Sequence, residues 1–210
     1  MRACWIAILG LVSIGAATAA AEQRQVGAKA GATSASLKFS TASEDPGYGH
    51  RLFVGGGGFF VQPLGGPFAL QVEGLYMPKG AETIETLETL ELTTTLIFDY
   101  FEIPALARVS VARSSGRNVY VFGGPYTAFR LNAKLRQAAG RPVTSGVTTD
   151  ISADVKRFDY GIEAGGGVDV SRHLVIDARY SWGLTDVNKD ALVAPAARNR
   201  VFAVLVGFRY

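Results

Sequence analysis

The side chains best placed to do chemistry are charges that recur at alternate positions inside apolar or glycine-rich stretches. They are Glu73, Glu102, Asp159, Glu163, Asp169 and Asp177 against Arg108, Arg157, Arg179 and Arg209. On one shared face, six acids and four bases would make either an ion path or proton-linked site, or a plug of mutually neutralising salt bridges. The other polar groups promise less. His50 and His173 are the only histidines, and their places in a long and a short connection put them at opposite ends of the fold, so they cannot share a metal ion. A Ser–His hydrolase acting on lipid would need a lipid-facing serine beside His50. The run Gly55–Gly58 lacks the Gly-Lys-Ser/Thr of a phosphate cradle and joins strand to strand, so these glycines read as structural. The triplet-repeating stretch Thr83–Leu92 is either a strand extension above the membrane or a short helical turn; Glu82, Glu85, Glu88 and Glu91 could draw a divalent cation but read better as a solvated loop face. Lys134, Arg136 and Arg141 could meet phosphate groups or a protein partner. No catalytic, cofactor-binding or metal-binding residue is expected, and no cofactor.

The elements that must carry these charges follow from composition and period. The 210 residues are 48% hydrophobic, hold 25 glycines and are only 19% charged, with a mean hydropathy of +0.18. That combination excludes a disordered chain and makes coiled coils improbable. The 21 basic and 18 acidic residues are scattered rather than striped, so no nucleic-acid partner is expected. Residues 1–21 carry Arg2, an apolar core from Trp5 to Gly15 and the small residues Ala17-Thr18-Ala19-Ala20-Ala21, the order of a secretory signal peptide. Cys4 stands before that core, too early for a lipoprotein cysteine, and the chain from Glu22 has none. Two units are therefore expected, a signal peptide over 1–21 and one domain over 22–210.

Beyond Val26 the period is two. The predicted segments are Val26–Phe39, Arg51–Pro63, Phe68–Lys79, Leu96–Ala112, Asn118–Leu131, Val155–Val170, Leu174–Val187 and Arg200–Tyr210, longer than the ~5 to 6 residues of an ordinary strand. Tight connections (64–67, 113–117, 171–173) alternate with long polar ones (40–50, 80–95, 132–154, 188–199). In the last three segments bulky apolar residues share one face, while charges and glycines share the other. A soluble barrel would show water a charged outer face, not glycines; a narrow lumen accepts small residues and a few paired charges. The expected fold is all-β: an eight-stranded, antiparallel, up-and-down transmembrane β-barrel with short periplasmic turns and long extracellular loops. In a lumen only wide enough for side chains, the charges are expected to form the plug. Phe59, Phe60, Tyr76, Tyr100, Tyr126, Tyr180, Trp182 and Tyr210 are candidates for interfacial girdles.

Four stretches carry a resemblance: Arg51-Leu-Phe-Val-Gly-Gly-Gly-Gly-Phe-Phe60, Phe68-Ala-Leu-Gln-Val-Glu-Gly-Leu-Tyr-Met-Pro-Lys-Gly80, Tyr100-Phe-Glu-Ile-Pro-Ala-Leu106 and Val119-Tyr-Val-Phe-Gly-Gly-Pro-Tyr126. In order and spacing they resemble the PorT-like family of small outer-membrane β-barrel proteins. The ending Phe202-Ala-Val-Leu-Val-Gly-Phe-Arg-Tyr210 is similar to the C-terminal signal read by the barrel-assembly machinery, with Tyr in place of the usual Phe. The resemblance implies an integral barrel of the Gram-negative outer membrane with a structural, surface-interaction or secretion-associated role and no shared catalysis. The implied partners are the lipid bilayer and lipopolysaccharide, the assembly machinery through the last strand, and an unidentified extracellular or periplasmic protein. Two alternatives stand beside it: a lipid-modifying outer-membrane barrel enzyme, and a soluble lipocalin-like binder of a small ligand in an apolar lumen.

Overall fold

Alternation of side chains across a strand becomes a closed surface here. The computed structural model describes residues 24–39, 49–87, 90–114, 116–139, 145–189 and 196–210; the expected signal segment lies outside them. The strands are β1 (Gln25–Phe39), β2 (Arg51–Gly65), β3 (Phe68–Leu87), β4 (Leu90–Ser114), β5 (Arg117–Ala139), β6 (Ser145–Asp150), β7 (Phe158–Asp169), β8 (Leu174–Gly183) and β9 (Ala197–Arg209). Each strand of the wall pairs antiparallel with its neighbour, β5 pairs with both β4 and β7, and β9 returns to β1. Eight strands thus form a ring without a free edge, and β6 stands outside it.

The faces sort as the period requires. Along β9 the residues Val201, Ala203 and Leu205 are buried, whereas Phe202, Val204, Val206 and Phe208 are 40–49% exposed. An apolar band wrapped around a closed ring would be an aggregation surface in water and is at ease in lipid. This inside-out pattern, with charges within, overturns the lipocalin-like alternative, which needs an apolar lumen.

One rim is tight for local reasons. Gly66 at φ 59° precedes Pro67 in the β2–β3 turn, and Gly116 at φ 83° serves the β4–β5 turn; both backbones lie where a Cβ would be strained. Between β7 and β8 the Ser171 hydroxyl accepts the N–H groups of His173 (3.2 Å) and Leu174 (3.1 Å).

The other rim departs from the expected loops. β3 and β4 stay paired out to Leu87 and Leu90, so of the two readings of the Thr83–Leu92 repeat its described residues follow the strand extension, not the helical turn. β5 trades partners near Arg130: below it pairs with β7, and from Lys134 to Ala139 with β6. The Arg130 guanidinium holds that exchange by donating to the carbonyls of Ser152 (2.8 Å), Lys156 (3.3 Å) and Val155 (3.4 Å). Strands β3, β4, β5 and β6 therefore continue as one sheet past the ring, and the expected loop over Asn132–Asp154 is largely a hairpin.

Candidate functional site

The buried charges are set by parity along each strand and meet across the lumen in three tiers. Nearest the tight turns, Asp169 takes Arg108 at 2.7 Å and Arg209 at 3.0 Å, and the Asn118 amide donates to it at 2.9 Å. Above it, Gln71 links tiers, accepting from Arg108 and donating to Glu73. The middle tier centres on Arg179, whose five N–H groups are all engaged: Nε with Asp177, Nη1 with Glu73 and Glu163, and Nη2 with Glu73 and Asp177, at 2.6–3.1 Å. Lys29 adds ion pairs to Glu73 (2.8 Å) and Asp177 (2.7 Å). Ser181 donates to the second Glu163 oxygen. The upper tier has Lys79 between Glu102 (2.6 Å) and Asp159 (3.3 Å), with the Asn199 amide donating to Asp159.

A second pattern explains the glycines. Phe59 lies on Gly27 and faces Lys29; Tyr126 lies on Gly161 and faces Lys79. Phe122 lies on Gly165 and faces Arg179; Tyr120 lies on Gly167 and faces Arg108. A Cβ at any of these four glycines would come within 2.6–2.7 Å of a ring carbon, and at Gly27, Gly161 and Gly165 it would meet the backbone carbonyl oxygens of Phe208, Trp182 and Ala178 closer still. Each glycine thus makes room for a flat ring, and each ring offers its negative face to a lumen cation at 3.4–5.1 Å from the centroid.

All six expected acids are buried, as are Arg108, Arg179 and Arg209. Arg157 is exposed: it precedes β7, which starts at Phe158, so the alternation that would turn it inward has not begun. Lys29 and Lys79, both under 5% exposed, were not anticipated from sequence. The signal was there in parity, since Lys29 alternates with Gly27 and Gly31, and Lys79 with Glu73, Leu75 and Met77. Among the girdle candidates, Phe59, Tyr100 and Tyr126 are buried in the lumen, while Phe60, Tyr76 and Tyr210 face outward.

Apolar clusters fill the lumen between and above the tiers. Leu75, Met77, Val201 and Leu205 pack in the middle. Leu37, Phe98, Tyr100, Tyr126, Val155 and Val187 close the end nearer the projecting sheet. At the tight-turn end an open recess of about 380 Å³ is lined by Arg113, Arg117, Asn118, Asp169 and Arg209 among others. His173 is at that rim, its Nδ1 3.0 Å from the Arg209 carbonyl oxygen, whereas His50 is at the far rim, 3.5 Å from the Ser34 hydroxyl. Among the described residues no group of three His, Cys, Asp or Glu side chains could hold a metal ion.

Residues 18–189 match the family model of the outer membrane protein beta-barrel domain. The chain belongs to that family. It is an outer-membrane protein in contact with the lipid bilayer. No curated protein matches it. Ail, the attachment invasion locus protein of Yersinia pestis, is similar over 89% of this chain and 98% of its own, at 12% identity and a TM-score of 0.44. Neisserial surface protein A is similar over 89% and 97%, at 13% identity and 0.45. OprG from Pseudomonas aeruginosa is similar over 89% and 95%, at 10% and 0.39. The match to the family ends before β9, which this chain uses to close the ring.

Proposed function

We propose that this outer-membrane barrel is a filled scaffold that presents its projecting sheet at the cell surface, with a structural, surface-interaction or secretion-associated role and neither catalysis nor conduction. One observation carries it: the lumen cross-section is occupied by interlocked side chains, with Arg179 using every donor it has. Outside the ring, the sheet ends in β6, exposed from Gly146 to Asp150 and paired, among the described residues, only with β5. Such an edge is open to strand addition by a partner. Within the outer-membrane barrels, the four stretches from Arg51 to Tyr126 support placement among PorT-like proteins. Residues 1–21 would act as the export signal and 22–210 as the barrel, delivered to the assembly machinery through β9. Tyr210→Asp and Phe208→Asp should then fail to reach the outer membrane; normal levels of both would count against docking through β9. In planar bilayers the protein should show no stable open conductance, and a large selective current altered by Glu102→Gln would replace the scaffold with a pore.

A second reading, a lipid hydrolase, has the Ser34–His50 contact in its favour. Against it, Ser34 lies in a strand hydrogen-bonded on both edges, to β2 and β9, so the backbone N–H groups of β1 beside it are engaged in the wall rather than turned to an oxyanion. Ester hydrolysis lost in Ser34→Ala would establish the hydrolase; hydrolysis at background in the native protein would dismiss it.

A further inference from the structure

The outward face of β9 carries Phe208, Val206, Val204 and Phe202, then Arg200 and Arg198. Arg200 lies ten residues from Tyr210; at ~3.3 Å per residue and a tilt near 40°, that is about 25 Å along the membrane normal, the height of the apolar band of such barrels. The two arginines therefore stand where hydrocarbon ends and outer-leaflet head groups begin. Trp182 is directly opposite Arg200 on β8 and in ring contact with Tyr180 (4.6 Å), an aromatic pair at the same level. On the other side, β1 places Lys38 directly opposite Arg198. Like charges opposed on neighbouring strands repel. Among the described residues no carboxylate pairs with Lys38, Arg198 or Arg200; Arg200 Nη1 is occupied by the carbonyls of Gly183 (2.8 Å) and Asn199 (3.0 Å), which point its guanidinium along this face. The lumen shows the contrast, for there nearly every cation has a carboxylate within 3.3 Å.

We propose that Lys38, Arg198 and Arg200 form a binding site for the phosphorylated head group of an outer-leaflet glycolipid, with Trp182 and Tyr180 against the sugar and acyl boundary. The proposal rests on the outer-membrane placement of the barrel. A phosphate between β1 and β9 turns a repulsive cross-strand pair into a bridged one, and a basic patch at the membrane surface gains from each anionic charge it meets. A lipid, not a free anion, is the occupant because the patch is continuous with the apolar face that the acyl chains already cover.

The test uses the chain from Glu22, in which Trp182 is the only tryptophan and so reports from beside the site. Folded barrel in maltoside micelles is titrated with diphosphoryl lipid A, with inorganic phosphate and with a phosphate-free glycolipid, following Trp182 emission. Folding of every variant is read separately from heat-modifiable mobility, so loss of binding is distinct from loss of the barrel. Native protein should saturate with lipid A alone. Lys38→Gln and Arg198→Gln should each weaken it about tenfold, whereas Lys134→Gln with Arg136→Gln, on the projecting sheet, should leave it unchanged. In lipid-free micelles Lys38→Gln should be at least as stable as the native chain, because it removes a repulsion. Unchanged affinity in Lys38→Gln and Arg198→Gln, an equal response to inorganic phosphate, or a Lys38→Gln barrel destabilised without lipid would each overturn the proposal.

Discussion

The middle and upper tiers of the lumen are built from the same parts and finished differently. In the middle tier two cations (Lys29, Arg179) meet three carboxylates (Glu73, Glu163, Asp177), and below them Arg108 and Arg209 meet Asp169. In the upper tier Lys79 alone faces Glu102 and Asp159, the same excess of one carboxylate, and Glu102 Oε1, Asp159 Oδ1 and Asn199 Oδ1 have no hydrogen-bond partner; the lower tier leaves Asn118 Oδ1 and Asp169 Oδ1 in that state, and the middle tier leaves no acceptor so. The ring-on-glycine support is the same in both, Phe122 on Gly165 below and Tyr126 on Gly161 above. What differs is the head group. A guanidinium offers five donors in a planar fork and can satisfy three carboxylates from different strands, whereas an ammonium has three donors and leaves acceptors over. Arginine thus locks the register of the wall with every acceptor of its tier met, and lysine, at the same excess of negative charge, leaves acceptors over.

Four experiments press on that comparison. The largest effect should come from Arg179→Met, which removes five buried charge-assisted bonds, leaves Glu163 without a cation and leaves Glu73 and Asp177 to Lys29 alone: about 3 to 5 kcal/mol lost in urea unfolding from vesicles, or no folded barrel at all. Adding Glu163→Gln should recover part of the loss, and a double-mutant cycle without coupling would mean a wet lumen. Next, Lys79→Met removes two ion pairs rather than five charge-assisted bonds and should cost roughly 3 kcal/mol, the lower end of that range; a loss equal to that of Arg179→Met would erase the distinction between the tiers. Gly165→Val and Gly161→Val should each cost about 1 to 3 kcal/mol by overpacking under the ring, and near-equal values would show that packing is shared while charge is not. The smallest effect should be Glu102→Gln, within about 1 kcal/mol of native, since it removes a surplus charge and keeps an acceptor for Lys79, while Glu73→Gln costs more because it loses charge-assisted bonds to both Lys29 and Arg179. If Glu102→Gln proves the worse of the two, the upper tier is the balanced one.

Much of this wall is legible in the residues. Strict alternation along Phe202–Tyr210 and the shared face of Asp159, Glu163, Asp169 and Asp177 depend only on the two-residue period, which no tertiary contact can alter without flipping the whole strand. The Arg179–Glu163 pair was within reach for the same reason, lying on adjacent strands at one parity. Asp177 lies two residues from Arg179 along the same strand, and the guanidinium folds back to it through Nε and Nη2. Asp159 shares the parity of Glu163 on the adjacent strand but sits a tier higher with Lys79.

The sequence by itself determined the alternation, the apolar coat, the order of short and long connections and the identity of nearly every inward charge, because these are properties of one strand and its turns. Only the tertiary structure decided who meets whom. Glu73 reaches Arg179 from β3 to β8 across the lumen, and that height match depends on the tilt and stagger with which eight strands close, a property of the ring as a whole. It also decided that the Thr83–Leu92 repeat and the 132–139 stretch continue as strand beyond the wall, since a polar segment of even period becomes sheet only where a neighbour of the same length rises beside it.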